Sequence, residues 1–109
     1  MNILSLFDGI SCGQIALGRA NIKVDKYYAS EIDIHAIKVT KHNYPNTIHI
    51  GNVNEIDFTQ YKDIDILIGG SPCQDLSRSN IQNKGLEGER SKLFFKYIEA
   101  LRVTKPKYY

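Results

Sequence analysis

The chain has 109 residues, room for one small domain and no more. Hydrophobic residues make up 42% and charged residues 24%, a balance that excludes a disordered polar segment and a membrane-embedded one. The formal charge of +2 is a weak hint of an anionic partner and does not separate a nucleic-acid binder from another small enzyme. Residues 1–8 carry no basic n-region, and no apolar run is long enough to span a bilayer. The expectation is a cytoplasmic protein with no membrane partner. Cys12 and Cys73 lie in different local contexts and read as reduced thiols. His35, His42 and His49 are spaced by seven, but Pro45 interrupts any helix joining them, so no metal site is expected.

Residues 2–7, with Ile3, Leu4, Leu6 and Phe7, predict a first strand. Asp8-Gly9-Ile10-Ser11-Cys12-Gly13 follows, then a helical pattern over 14–19. Strand, glycine turn and helix open a nucleotide-binding α/β unit, because glycines allow a tight turn and the helix start offers free N–H groups. Gly9 and Gly13 are four apart, so the dinucleotide spacing is not matched, and a tight turn with no ligand stays open.

A second strand is predicted over 26–30, ending at Glu31-Ile32-Asp33. Glu31 lies 18 residues after Gly13, where an acid at the second strand tip commonly binds ribose hydroxyls. A solvated strand-end carboxylate is the other reading. Asp33 is the expected N-cap of a helix over 34–43, which stops before Tyr44-Pro45-Asn46. A third strand over 47–50 leads into Gly51-Asn52-Val53-Asn54. The Asn52 amide, both donor and acceptor, suits a purine edge, although Asn is also a common turn residue. A short helical or irregular segment over 55–61 precedes a fourth strand over 64–68. That strand is almost continuously apolar, as expected when both sheet faces are covered.

Gly69-Gly70-Ser71-Pro72-Cys73-Gln74-Asp75-Leu76-Ser77 comes next. A lone cysteine is more often a packing residue. Here Cys73 follows the carboxyl end of an interior strand, the edge where open α/β sheets bind ligands. Pro72 fixes the backbone before it. A loop over 74–90 with Arg78, Lys84 and Arg90 follows, and loops of that length are usually functional. A thiolate beside an anionic polymer suits attack on an electron-poor ring. A last helix over 91–103 carries Leu93, Phe94, Tyr97, Ile98 and Leu101 as its apolar stripe. Lys105-Pro106-Lys107 breaks it, and Tyr108-Tyr109 reads as the start of a fifth strand. Strands alternate with helices throughout, so the class is α/β with a mostly parallel sheet.

These residues carry a resemblance. The chain resembles the N-terminal part of a DNA cytosine-5 methyltransferase that uses S-adenosylmethionine, of the phage and bacterial type. Gly70-Ser71-Pro72-Cys73-Gln74 is similar to the family's Pro-Cys-Gln motif. Leu6-Phe7-Asp8-Gly9-Ile10-Ser11-Cys12-Gly13 resembles its Phe-x-Gly-x-Gly loop, with Ser11 where the common pattern has glycine. The Phe-Asp-Gly-Ile and Gly-Gly-Ser-Pro-Cys forms also resemble the animal de novo enzymes. Ser30-Glu31 matches the ribose-binding acid. Gly51-Asn52-Val53 matches Gly-Asp-Val, with Asn52 in place of the acid expected at the adenine amine. Arg90-Ser91-Lys92-Leu93-Phe94-Phe95 is similar to the family's Arg-Gly-x-Leu-Phe segment.

The resemblance implies a Rossmann-like methyltransferase fold, here truncated after about four strands. It implies Cys73 as the nucleophile on carbon 6 of a flipped cytosine. It implies S-adenosylmethionine bound by Phe7, Asp8, Gly9, Ile10, Gly13, Glu31, Ile32, Asn52, Val53, Pro72 and Leu93. Ser71, Gln74, Ser77 and Arg78 would meet double-stranded DNA, in a restriction-modification setting. The family's Glu-Asn-Val motif, target recognition region and C-terminal helix are not found in 1–109. Residues 1–109 are therefore expected to be the N-terminal portion of the catalytic domain, inactive alone. The outer edge of the fourth strand is expected to be unpaired and the cofactor pocket to lack a wall. Half of a split enzyme completed by a second polypeptide, a non-catalytic remnant or S-adenosylmethionine-binding module, and a thiol enzyme acting on another nucleotide are the alternatives.

Overall fold

The first strand, β1 (Asn2–Leu6), is the centre of the molecule. Ile3, Leu4 and Leu6 are fully buried, which requires cover on both faces of the sheet. The computed structural model describes residues 1–70 and 89–109. Around β1 stand α1 (Cys12–Arg19), β2 (Lys26–Ser30), α2 (Ile34–Asn43), β3 (Ile48–His49), β4 (Ile66–Gly69) and α3 (Glu89–Thr104). Two 3₁₀ turns, Val53–Glu55 and Phe58–Gln60, occupy the segment expected to be short and irregular.

The strands are parallel and run in the order β3-β2-β1-β4. The chain moves outward from β1 to β3, then returns to place β4 on the other side of β1. Ligands of open α/β sheets bind at the carboxyl ends of the strands beside such a reversal. Side chains alternate across the sheet, as the pleat demands. Ile3, Tyr27 and Ala29 cluster with Leu17 of α1 on one face. Leu4, Leu6 and Leu67 face the other way, against Val53, Phe58, Ile64 and Ala100, with Leu93 and Tyr97 of α3 packed on that core. Burying a side chain of this size contributes about 2 kcal/mol.

The predicted strands are trimmed for identifiable reasons. Phe7 leaves β1 because its backbone is left-handed, at φ 55°. The third strand shrinks to two residues between the Pro45 turn and Gly51, at φ 85°. Ile50 still donates to the Ala29 carbonyl at 2.9 Å. The last helix starts at Glu89, earlier than the apolar stripe indicates.

Asp33 caps α2 as expected, accepting from the His35 and Ala36 N–H groups. Tyr108 forms a parallel bridge to Ile66, as the start of a further strand would. It donates to the Asp65 carbonyl at 3.0 Å and accepts from the Leu67 N–H at 2.9 Å. The outer edge of β4 is therefore paired at Tyr108, where the sequence led us to expect bare backbone. Ser71, Pro72, Cys73, Gln74, Ser77 and Arg78, and the predicted loop up to residue 88, lie outside the described residues.

Candidate functional site

The tips of β1, β2 and β3 converge on one cavity of about 210 Å³. Phe7, Glu31, Ile32, Asn52, Val53 and Leu93 line it. All six belong to the set expected at a cofactor. They come from four separate stretches of chain, and the parallel sheet is what brings them together. Ser30 and Asn54 complete the lining and were not singled out as site residues. The Asn54 signal was local, within the turn that Asn52 starts, whereas the Ser30 partner is brought close only by the fold. Ser30 donates to the Gly51 carbonyl at 2.8 Å, tying β2 to the turn that carries Asn52. The Asn54 N–H donates to Asn52 Oδ1 at 2.9 Å, so Asn52-Val53-Asn54 is an Asx turn.

Glu31 is held by three backbone donors. Gly9 N–H reaches Oε1 at 2.7 Å, and Ile32 and Asp33 N–H reach Oε2 at 2.9 and 3.0 Å. The carboxylate thus joins the tip of β2 to the loop after β1. Two carboxylate oxygens offer about four acceptor positions, so a position remains for a ligand hydroxyl. Ile32 beside it is 69% exposed, an apolar surface open to a flat ring. An apolar slot with an acceptor at one side and an amide at the other suits a nucleoside.

The loop after β1 is built from left-handed residues. Phe7, Gly9 and Ser11 have φ of 55°, 62° and 65°. Only one of the three is glycine, so the other two need compensation. For Ser11 it comes from Asp8. Ser11 is fully buried, and its hydroxyl donates to Asp8 Oδ2. Ser5 and Tyr27 hydroxyls donate to Asp8 Oδ1 at 2.6 and 2.7 Å. Burial, with the Asp8 carboxylate alongside, raises the Tyr27 phenol far above its ordinary pKa, so it stays a donor. Asp8 therefore anchors the loop from beneath, and its carboxylate is spent on three hydroxyls.

Gly9, Ile10 and Gly13 also lie off the cavity lining, each in a different way. Gly9 supplies the N–H that holds Glu31. Ile10 is 48% exposed on the outside of the loop. Gly13 accommodates Tyr27: a Cβ there would stand 2.7 Å from the phenolic oxygen. Gly69 has a comparable role at the end of β4, where a Cβ would stand 2.9 Å from the Leu6 carbonyl. Pro72 and Cys73 follow Gly69 in the chain by three and four residues and are outside the described set.

Comparison with known proteins agrees with this architecture. The family model for C-5 cytosine-specific DNA methylases matches residues 1–109. An orphan methyltransferase of Bacillus phage rho11s is 37% identical over the whole chain, which spans 22% of that relative. A type II methyltransferase of Escherichia coli is 36% identical over 96% of the chain, spanning 25% of it. The DNA (cytosine-5)-methyltransferase DRM2 of Arabidopsis thaliana is 34% identical over 96% of the chain, spanning 19% of it. The chain thus spans about a fifth to a quarter of these relatives. Among solved structures, the Dnmt2 methyltransferase of S. pombe superposes with a TM-score of 0.59. That match covers 94% of this chain and 39% of the other at 16% identity, and it carries the fold alone. With the family model matching the whole chain and relatives at 34–37% identity along it, the chain belongs to the C-5 cytosine-specific DNA methylase family.

Proposed function

We propose that residues 1–109 form the N-terminal, cofactor-binding portion of a DNA cytosine-5 methyltransferase. The observation that carries this reading is the cavity at the strand tips, with Glu31 fixed by three N–H groups and Phe7, Ile32, Val53 and Leu93 as apolar walls. Glu31 would accept from the ribose hydroxyls of S-adenosylmethionine, and the apolar walls would hold its purine. The bound cofactor would supply an electrophilic methyl group.

Cys73 would add as a thiolate to carbon 6 of a cytosine flipped from double-stranded DNA. Carbon 5, made nucleophilic by that addition, would take the methyl group as its bond to the cofactor's sulfonium sulfur breaks, leaving S-adenosylhomocysteine as the neutral thioether. The proton on carbon 5 leaves to a base, and expulsion of the thiolate restores the ring double bond. Ser71, Gln74, Ser77 and Arg78 would sit on the DNA side, meeting bases and phosphates. Because the chain spans about a fifth to a quarter of its relatives, we expect sequence reading and the rest of the base-holding machinery to come from further polypeptide. The residues would act in the cytoplasm of a bacterial or phage-infected cell. Among the described residues no helix is long and apolar enough to cross a membrane.

The test is an NMR titration of the chain with S-adenosylhomocysteine. Shifts at Phe7, Glu31, Asn52 and Leu93 are expected, and their absence would remove the reading. A Cys73→Ser change in the complete enzyme should abolish methyl transfer while leaving this binding intact. Methyl transfer surviving that change would take Cys73 out of the mechanism. Binding by the complete protein with no transfer at all would favour a binding module instead.

A further inference from the structure

β4 ends at Gly69, four residues before Cys73 in the chain. Gly69 pairs with Leu6 in the parallel register, and Phe7, the residue after Leu6, lines the cavity. The segments leading to the cofactor wall and to the thiol therefore leave the sheet side by side. Gly69 is closely walled. A Cβ there would stand 2.9 Å from the Leu6 carbonyl oxygen and 3.2 Å from Cδ2 of the Tyr97 ring. A Cβ on Gly70 would meet none of the described residues within 4 Å. Among the described residues, the last close side-chain wall on the way out of β4 is thus Tyr97. Tyr97 comes four residues after Leu93 on α3, so the two share one face of the helix. Leu93 lines the cavity, and both side chains pack against the core that contains Leu6 and Leu67. One face of α3 therefore touches the cavity with one side chain and the end of β4 with the next.

We propose that Tyr97 is a positioning residue for methyl transfer, its ring packed over Gly69 so as to set the direction in which the chain leaves β4 toward Cys73. The inference rests on the reading of Cys73 as the nucleophile. Four residues reach at most about 14 Å, and a tilt of about 10° at Gly69 moves the far end of that lever by about 2 Å. A misplacement of about 1 Å between reacting groups can lower a rate by about a hundredfold. The contact at Gly69 is made by a ring carbon, so what matters is a flat, rigid side chain and not the hydroxyl. Phenylalanine keeps that wall. Methionine keeps much of the bulk, but as a flexible chain with no flat face. Neither change touches Leu93, so cofactor binding is left in place while the approach of the thiol is altered.

The experiment measures kcat and KM for S-adenosylmethionine in the complete enzyme carrying Tyr97→Met or Tyr97→Phe, with an S-adenosylhomocysteine titration of each. Tyr97→Met should lower kcat by about tenfold or more while KM and the titrated affinity stay within about threefold. Tyr97→Phe should keep kcat within about twofold of the parent enzyme. An unchanged kcat in Tyr97→Met would overturn the inference. An equal loss in Tyr97→Phe would overturn it too, because the hydroxyl and not the ring would then carry the effect. Loss of S-adenosylhomocysteine binding in Tyr97→Met would assign the ring to the cofactor wall and overturn it as well. Cys73→Ser in the same assay separates the two levels. Turnover surviving that change removes the reading of Cys73 and the inference with it. A dead Cys73→Ser enzyme beside a fully active Tyr97→Met enzyme sinks the inference alone.

Discussion

The Tyr27 hydroxyl of β2 donates to Asp8 Oδ1 at 2.7 Å, from beneath the loop that follows β1. Tyr27 is 3% exposed, and burial raises its phenol above the ordinary value, so it stays a donor to Asp8. Asp8 has no cationic partner among the described residues. Its charge is balanced by the hydroxyls of Ser5, Ser11 and Tyr27. Removing one of them leaves a part-buried carboxylate short of a donor. Tyr27→Phe should therefore destabilise the fold by about 1–3 kcal/mol, read as a lowered midpoint in urea denaturation. An unchanged midpoint would mean that water replaces the phenol and that the lock is not structural.

Gly13 tests the same contact from the other side. A Cβ at residue 13 would stand 2.7 Å from the Tyr27 oxygen, closer than real Cβ atoms come to any neighbour. The phenol cannot simply move, because Asp8 holds it. Gly13→Ala should cost about 1–3 kcal/mol, as overpacking does. In a Tyr27→Phe background the colliding atom is gone. Alanine inside α1 should then be neutral, or stabilising by about 0.5–1 kcal/mol. A double-mutant cycle in urea measures the coupling. Additive costs would show that the two residues do not meet.

Much of this site was legible in the sequence, and the reason is topological. A parallel α/β pattern brings residues at successive strand tips to one edge, so Phe7, Glu31, Ile32, Asn52 and Val53 could be grouped without coordinates. The direction in which a side chain turns was not legible. Asp8 stands in the same loop as Phe7 and Gly9, but its carboxylate is drawn under the loop by Tyr27, 19 residues away in sequence. Gly13 reads as a loop glycine, yet its reason lies in the packing of that same phenol. Ser30 escaped notice because its one hydrogen bond goes to the Gly51 carbonyl, a group that only the fold brings close, and Asn54 because it contributes a single N–H within a turn. The alternation of elements indicated that a further strand starts at Tyr108, but the edge of β4 was expected to be bare and is instead paired there.

Glu31 is the mechanical link between β2 and the glycine loop. Its Oε1 holds the Gly9 N–H, and its Oε2 holds the Ile32 and Asp33 N–H groups. A Gln side chain is nearly the same shape but has only one accepting atom. Whichever way it turns, an NH₂ group faces at least one backbone donor. Glu31→Gln should release the Gly9 amide, so that its hydrogen exchange speeds up by at least tenfold. A loss of about 1–2 kcal/mol in stability should accompany it. S-adenosylhomocysteine binding should weaken in parallel. Unchanged exchange at Gly9 would show that the loop is held by Asp8 alone.

His49 gives the fold a dependence on pH. Both ring nitrogens are buried with no hydrogen-bond partner among the described residues, and burial, then the charge of Lys41, lowers its pKa below the ordinary 6.5, with Asp8 opposing. The folded protein therefore resists a proton that the unfolded chain accepts. As pH falls below about 6.5, the unfolded state binds more protons than the folded state, and stability declines until the lowered pKa is passed. Asp25 and Asp57 also have lowered values, and their stabilisation is lost as pH falls through the range below 3.8, so the decline that begins below about 6.5 starts with His49. His49→Leu replaces the unpaired ring by an apolar side chain of similar size. It should leave stability at pH 7.5 unchanged or slightly raised. Between pH 7.5 and 5 its urea midpoint should stay nearly level, while that of the parent chain falls. Parallel curves for the two proteins would assign the slope to another group.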